Sequence, residues 1–390
     1  MAAADLVPVT VLTGFLGSGK TTALNHLLRQ PELDGTVAII NEFGEVGLDH
    51  LLIETSEERF ALLDNGCICC TVRGDLLETL KDLLRRREAG DLPRFSRILL
   101  ETTGLADPAP VLHTLMVDPD IAARYRIDGI VVTVDAVNGE ATLRGYAEAV
   151  KQVAVADRLL ITKTDLAARA TVESLTTRLS GLNPTADILL VRDGAVDPAD
   201  VLDIGLFDPA ARSAEVVAWF ARSAPSLAAG TPHHHCHDAG CTDPSHDHHD
   251  DGGHSHGDHG HRGHGSHHHG VQSFSLLIDG PVAWEPFATW LDYVASLKGE
   301  ELLRFKGLVN VAEKPDRPVV VHGVQHVFHP PRDLDAWPTD DRTTRLVFIV
   351  RDIPRALIER TLCRFAAIEP ARLRQPAGAH HDERRQFETI

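Results

Sequence analysis

Residues 9–28 set out a strand, a glycine loop and a helix in one uninterrupted stretch, and they leave the surrounding chain little choice of fold. Val9-Thr10-Val11-Leu12-Thr13 is apolar and β-branched. Gly14-Phe15-Leu16-Gly17-Ser18-Gly19-Lys20-Thr21 spells Gly, four residues, Gly-Lys-Thr, and Thr22-Ala23-Leu24-Asn25-His26-Leu27-Leu28 continues with helical spacing. That order is the one a phosphate cradle requires. The glycines let successive backbone N–H groups converge on a phosphate at a helix N-terminus, where the helix dipole also favours negative charge. Gly14, Gly17, Ser18, Gly19 and Thr22 are therefore candidate nucleotide contacts. Lys20 is placed to reach the β- and γ-phosphates, and the Thr21 hydroxyl to ligate Mg²⁺.

Two downstream elements fit a nucleotide site. Arg97-Ile98-Leu99-Leu100-Glu101-Thr102-Thr103-Gly104 is an apolar strand ending in a carboxylate, with a glycine three residues on. Glu101, at the strand's C-terminal end beside the phosphate loop, can hold a Mg²⁺-bound water, and Gly104 lets the backbone approach the γ-phosphate. Arg158-Leu159-Leu160-Ile161-Thr162-Lys163-Thr164-Asp165 is a strand followed by a polar residue, Lys, any residue and Asp. A carboxylate there accepts two N–H bonds from guanine while the Lys stem lies along the ring. Adenine lacks that donor pair and would leave Asp165 unpaired, so the pattern favours GTP over ATP. The polar first position is Thr162, where regulatory GTPases usually carry Asn.

From residue 7 to about 203, short β-branched runs alternate with amphipathic stretches, which predicts a three-layer α/β domain with a mainly parallel sheet. Strands are expected at 7–12, 36–41, 59–63, 97–101, 127–134, 158–162 and 187–191, and helices at 20–29, 73–88, 110–116, 139–150 and 171–180. Regular patterning fades over 206–270 and returns at Val271. An α+β domain is expected over 271–353, then a helix at 354–366 and a disordered tail from Pro370 to the end. The divisions are thus 1–205, 206–270, 271–353 and 354–390.

The net charge of -18 weighs against nucleic acid or an anionic membrane as partner. No run approaches the length of a membrane span, and the N-terminus lacks a basic region before its apolar stretch. A cytoplasmic location is the expectation. In that compartment clustered cysteines point to metal or redox chemistry in preference to a disulfide framework. Cys67, Cys69 and Cys70 lie within four residues after Gly66 and before a predicted helix, an arrangement that can offer at least two thiolates to one soft or borderline cation. Fifteen of 23 histidines fall between His233 and His269. That segment, with Cys236 and Cys241, reads as a mobile loop of weak metal sites, including His233, His234, His235, Cys236 and His237. Between phosphate loop and cysteines, Asn41-Glu42-Phe43-Gly44-Glu45-Val46-Gly47-Leu48-Asp49 suits a switch segment, in which Glu42 and Asp49 are candidates for orienting water or completing a metal shell.

Taken in order, GFLGSGKTT, NEFGEVGLD, NGCICC, ETTGLADP and TKTD resemble the CobW-type metallochaperone GTPases, SIMIBI-class relatives of HypB, UreG and MeaB. LLRFKGLVN and VHGVQHVF resemble that family's C-terminal module. The resemblance implies GTP hydrolysis, with Mg²⁺, coupled to loading or release of a transition metal at the CxCC site for a client metalloprotein. It does not separate Zn²⁺ from Co²⁺ for cobalamin synthesis, and it allows a nucleotide-dependent homodimer. An ATPase, a passive metal store and a redox protein remain as rival readings of the residues themselves.

Overall fold

The computed structural model describes residues 6–40, 51–55, 59–62, 74–204 and 270–374. Two sheets organise it. The first contains β1 (Val7–Gly14), β2 (Thr36–Ile40), β3 (Leu51–Thr55), β4 (Arg59–Leu62), β5 (Arg97–Glu101), β6 (Tyr125–Asp135), β7 (Arg158–Thr162) and β8 (Asp187–Leu190). Their order is β4-β3-β2-β5-β1-β6-β7-β8. The six strands from β2 to β8 run parallel, and β3 and β4 add an antiparallel edge. This is the expected three-layer α/β architecture. β3 was not among the expected strands, because Leu51-Leu52-Ile53 follows a glycine-rich acidic stretch and lacks alternation.

The helices that cover this sheet are α1 (Lys20–Leu27), α2 (Gly74–Ala89), α3 (Ala109–Val117), α4 (Pro119–Ala122), α5 (Gly139–Gly145), α6 (Ala147–Val155), α7 (Arg169–Leu182) and α8 (Pro198–Val201). Two core clusters result. Val9, Val11, Ile98 and Val132 pack under α2, α3, α6 and α7, while Leu12, Leu99, Val131 and Leu160 pack under α1. Strands buried on both faces read as continuous apolar runs, as these do. α2 buries Leu80 and Leu83 on the face its leucine spacing predicts. The single helix expected over 139–150 is two, separated at Tyr146, whose extended backbone (φ -131°, ψ 119°) closes α5 and opens α6.

The second sheet is antiparallel: β9 (Val271–Ile278), β10 (Leu302–Val309), β11 (Val319–Val324), β12 (Val327–Phe328), β13 (Arg332–Asp333), β14 (Thr344–Arg351) and β15 (Leu373–Arg374), ordered β12-β11-β10-β14-β9-β15 with β13 on β11. One face carries α9 (Trp284–Lys298) and α10 (Arg355–Phe365) over Phe287, Trp290, Phe305 and Phe348. The expected tail begins too early at Pro370. Leu373 and Arg374 pair with Ile278 and Leu277, and α10 contributes Ile358 and Leu362 to the core. The other face meets the first sheet's layer, where Leu303, Val324 and Ile349 join the nucleotide-side core.

Candidate functional site: a nucleotide cavity at the ends of the parallel strands

Strand register assembles the site. Leu12 of β1 sits opposite Glu101 of β5, and Gly14 opposite Thr133 of β6, while Asp135 at the end of β6 pairs with Thr162 of β7. All these residues emerge at the C-terminal edge of the sheet, where open α/β sheets bind ligands. Between β1 and α1 the backbone bends through positive φ at Gly14 (142°), Gly17 (70°) and Gly19 (90°). A Cβ on Gly14 would come within 2.4 Å of Thr133 Oγ1, so only glycine fits there. Gly19 is the N-cap of α1 and leaves the helix's first N–H groups without a side-chain cap. Those donors face the loop's concavity.

The Lys20 ammonium donates to the carbonyls of Gly14 (3.0 Å) and Phe15 (3.2 Å), at the centre of the loop. Ser18 is tied to Thr133 by a hydroxyl–hydroxyl bond of 2.6 Å. Thr21 donates its hydroxyl to Glu101 Oε1 at 2.6 Å, although the two lie on different elements and Glu101 is only 2% exposed. A buried carboxylate and a threonine hydroxyl side by side at a phosphate loop are the oxygen donors that suit Mg²⁺. Lys20, Thr21 and Glu101 line a cavity of about 710 Å³, together with Leu16, Gly17, Gly19, Thr22, Thr103, Gly104 and Lys163. Thr102 lines the cavity too and also ties the end of β5 to β1, donating its hydroxyl to Thr13 Oγ1 at 2.6 Å.

Lys163 is one of few non-glycine residues with left-handed backbone (φ 57°). Its ammonium donates to Gly17 O (2.8 Å) and Asp135 Oδ2 (2.7 Å), so its stem is stretched along the phosphate loop. Asp135 also accepts from the backbone N–H groups of Val137 and Asn138. Burial pushes its pKa up, but the Lys163, Asn138 and Val137 hydrogen bonds outweigh burial and hold the carboxyl below the ordinary range. Thr162 donates to Ser18 O at 2.7 Å and so fastens β7 to the phosphate loop. The exposed Asp165 accepts from Asp193 N at 3.4 Å, in a turn where Asp193 and Gly194 both have positive φ. That turn leans on α1, since a Cβ on Gly194 would meet Thr22 Cγ2 at 2.6 Å.

Gly14, Gly17, Ser18, Gly19, Lys20, Thr21, Thr22, Glu101, Gly104, Thr162, Lys163 and Asp165 are thus gathered at one edge of one sheet. Glu42, Asp49, Cys67, Cys69, Cys70, His233, His234, His235, Cys236 and His237 lie outside the described residues. Asp135 and the Asp193-Gly194 turn are site residues that the sequence reading passed over. Asp135 ends a long apolar run just as Glu101 does, and Asp-Gly after a short strand is a recognisable turn signal.

A cradle of this construction, closed by a lysine tied to both the phosphate loop and a buried aspartate, defines a phosphate-loop nucleotide-binding protein. The chain belongs to the CobW family. Residues 8–190 match the CobW/HypB/UreG nucleotide-binding domain, and residues 271–366 match the cobalamin synthesis protein cobW C-terminal domain. It is 30% identical to the zinc chaperone CobW of Pseudomonas aeruginosa, over 91% of this chain and 90% of that protein. It is 41% identical to the zinc chaperone YjiA of Escherichia coli, but that match spans 49% of this chain and 59% of its relative. The crystal structure of Zn(II)-bound YjiA GTPase from E. coli superposes with a TM-score of 0.63 at 27% identity, covering 93% of this chain and 99% of that one.

Proposed function

We propose that this protein hydrolyses GTP and uses the cycle to load and release a transition metal, zinc first, at Cys67, Cys69 and Cys70, for a client metalloprotein. The observation that carries the nucleotide half is the Lys163 bridge from Gly17 O to Asp135, with Asp165 beyond it on the same turn. It supports the reading because it ties the turn that carries Asp165 to the phosphate loop, where that carboxylate would meet guanine. The metal half rests on the cysteine spacing and on the names of the relatives.

Guanine would lie along the Lys163 stem with its two N–H donors on Asp165, and an adenine in the same place would leave that carboxylate unpaired. The Lys20 ammonium and the N-terminal N–H groups of α1 would surround the phosphates. Thr21 would hold Mg²⁺ directly and Glu101 through a water, as their 2.6 Å contact allows. Magnesium, when bound, neutralises charge that develops on the β- and γ-oxygens during transfer. Gly104 lies so close to Leu16 that a Cβ would come within 2.7 Å of its N, and the Gly104 backbone is assigned to the γ-phosphate. Glu42 and Asp49 are assigned to water orientation, and nucleotide-dependent ordering of residues 41–49 to control of the cysteine site. Among the described residues no helix is long and apolar enough to cross a membrane. A cytoplasmic protein that pairs with a second copy when GTP is bound completes the reading.

Competition binding tests the first half: GDP and GTP should displace a fluorescent guanine nucleotide, and ATP should not. Zinc titrations with a non-hydrolysable GTP analogue and with GDP test the second. Tighter binding in one state, abolished by Cys69→Ser, supports it; equal affinity in both states removes the coupling.

A further inference from the structure

The segment between Glu101 and α3 is held from two domains at once. At its near end, a Cβ on Gly104 would come within 2.7 Å of Leu16 N and 2.8 Å of Leu16 Cα, so the segment lies flat against the phosphate loop. Gln152, on α6 and 1% exposed, donates from Nε2 to Gly104 O (3.3 Å) and Ala106 O (3.0 Å). Ala106 N in turn donates to Thr103 O at 3.1 Å. At its far end, Asp107 divides its carboxylate between two tasks. Oδ1 accepts from Ala109 N at 3.0 Å and opens α3. Oδ2 accepts from Gln325 Nε2 at 3.1 Å and lies 3.6 Å from the Lys151 ammonium.

Gln325 belongs to the antiparallel sheet, at the turn between β11 and β12. It is 7% exposed and has left-handed backbone with φ 54°, a conformation that persists in a glutamine only where the surroundings over-determine it. The next residue, His326, places its ring 5.4 Å from that of His113 on α3. The hairpin tip therefore meets the nucleotide domain at the segment that follows Glu101, and a hydrogen bond from a strained, buried glutamine anchors the meeting.

We infer that Gln325 and Gln152 are positioning residues for GTP hydrolysis, which hold the Gly104–Ala106–Asp107 backbone against the phosphate loop and so make the C-terminal sheet part of the hydrolytic machinery. The inference rests on the reading of the cavity as a GTP site. Donors that stabilise developing charge act best when already in place, and a small misplacement of a reacting geometry costs orders of magnitude in rate. Gln152 fixes the segment's height above the loop, and Gln325 fixes its far end from outside the domain. Neither lines the phosphate-loop cavity, so their loss is felt in turnover and not in binding.

The test uses the full chain and a series at Gln325. Gln325→Lys keeps a donor facing Asp107, Gln325→Ala removes it, and Gln325→Glu sets a second carboxylate against the first. The expected order of kcat is Lys near wild type, Ala down about 10-fold, and Glu lower still, with KM for GTP and the affinity for GDP within about two-fold throughout. Should Gln325→Glu not fold, the Ala and Lys pair carries the comparison. Unchanged kcat in the Ala variant overturns the inference. So does a fall in kcat matched by equal losses of GDP affinity and thermal stability, which would mark a structural contact only. A wild-type chain that turns over ATP and not GTP overturns the reading of the cavity itself, and the inference with it.

Discussion

β7 is five residues long and carries an ion cluster at each end. At its exit, Lys163 pairs with Asp135 beside the nucleotide cavity, with the lysine partly open to solvent and the aspartate buried. At its entrance, Asp157 is buried between the two sheets, where it meets Arg304 and takes a 3.1 Å contact from Lys306, both on β10. It also accepts from Ile130 N at 3.1 Å, while Arg304 donates to Val155 O at 2.8 Å. Burial pushes the Asp157 pKa up, and the Arg304 and Lys306 charges more than reverse this and hold it below the ordinary range. The same carboxylate–cation chemistry therefore serves two ends. What separates them is geometry: the exit pair hangs on a left-handed lysine at a strand's C-terminal edge and faces a cavity, while the entrance cluster faces only protein. A charged pair is evidence of a site only when such surroundings accompany it.

The sharpest way to break that contrast is Asp157→Asn. The substitution keeps the side chain's shape but leaves Arg304 and Lys306 buried without their anion, so stability should fall by about 3–5 kcal/mol. Urea unfolding would read the loss, and GTP turnover per folded molecule should stay unchanged. A variant of normal stability with impaired turnover would move this cluster into the functional class. At the other end, Lys20→Ala should do the reverse. Turnover should fall by about 10²–10³-fold, the usual cost of one preorganised donor, while the unfolding midpoint scarcely moves.

The two ends were not equally legible in the sequence. The exit end is local: strand, loop and turn follow one another, and the Gly-Lys-Thr and Lys-x-Asp spacings report backbone geometry directly. Lys20, Thr21, Glu101 and Lys163 could be read from such spacings, and register alone then brings them together. The entrance end is not local. Asp157 precedes an apolar strand like many surface aspartates, and Arg304 and Lys306 lie about 150 residues away in a strand that reads as ordinary. Alternation within β10 shows which residues share a face, but not that this face covers another domain. Gln325 is hidden for the same reason, although it lies within the VHGVQHVF stretch that carries the family pattern. Asp135 could have been found, since it closes its apolar run as Glu101 does. The expected helix over 139–150 failed because apolar periodicity passes through Tyr146, where the backbone turns.

Asp165→Asn tests the exit end more finely than Lys20→Ala. Phosphate binding is left alone, and only the acceptor for the guanine edge is weakened. Two hydrogen bonds to a charged group are at stake, at about 1.5 kcal/mol or more each, so preference for GTP over ATP should fall by about 10²-fold. Competition binding with both nucleotides would measure it. If both affinities fell together, Asp165 would be holding the turn at Asp193 and not reading the base.

The smallest expected effect belongs to the entrance end and depends on pH. His322 and His329 lie beside the ion cluster with ring centroids 4.5 Å apart. Burial, then the Arg304, Lys306 and Arg332 charges, lower the His322 pKa well below 6.5. For His329 the causes are burial, His322 and Arg304, with Asp157 opposing. Both rings are therefore neutral in the folded protein at pH values where the unfolded chain has begun to bind protons. Below 6.5 the unfolded state holds more protons, so stability must fall as pH drops, by at most about 1.4 kcal/mol per pH unit for each ring. Asp157 acts in a different window. Its depressed pKa contributes stability above 3.8 that is lost only as pH falls through the lower folded value. Unfolding free energies of wild type and His322→Gln between pH 7 and 4.5 should thus converge as pH falls, because the variant lacks one proton-sensitive ring. The nucleotide end predicts no such slope over this range, since Asp135 is also held ionised by its partners. Parallel curves for the two proteins would show that folding leaves the proton affinity of His322 unchanged.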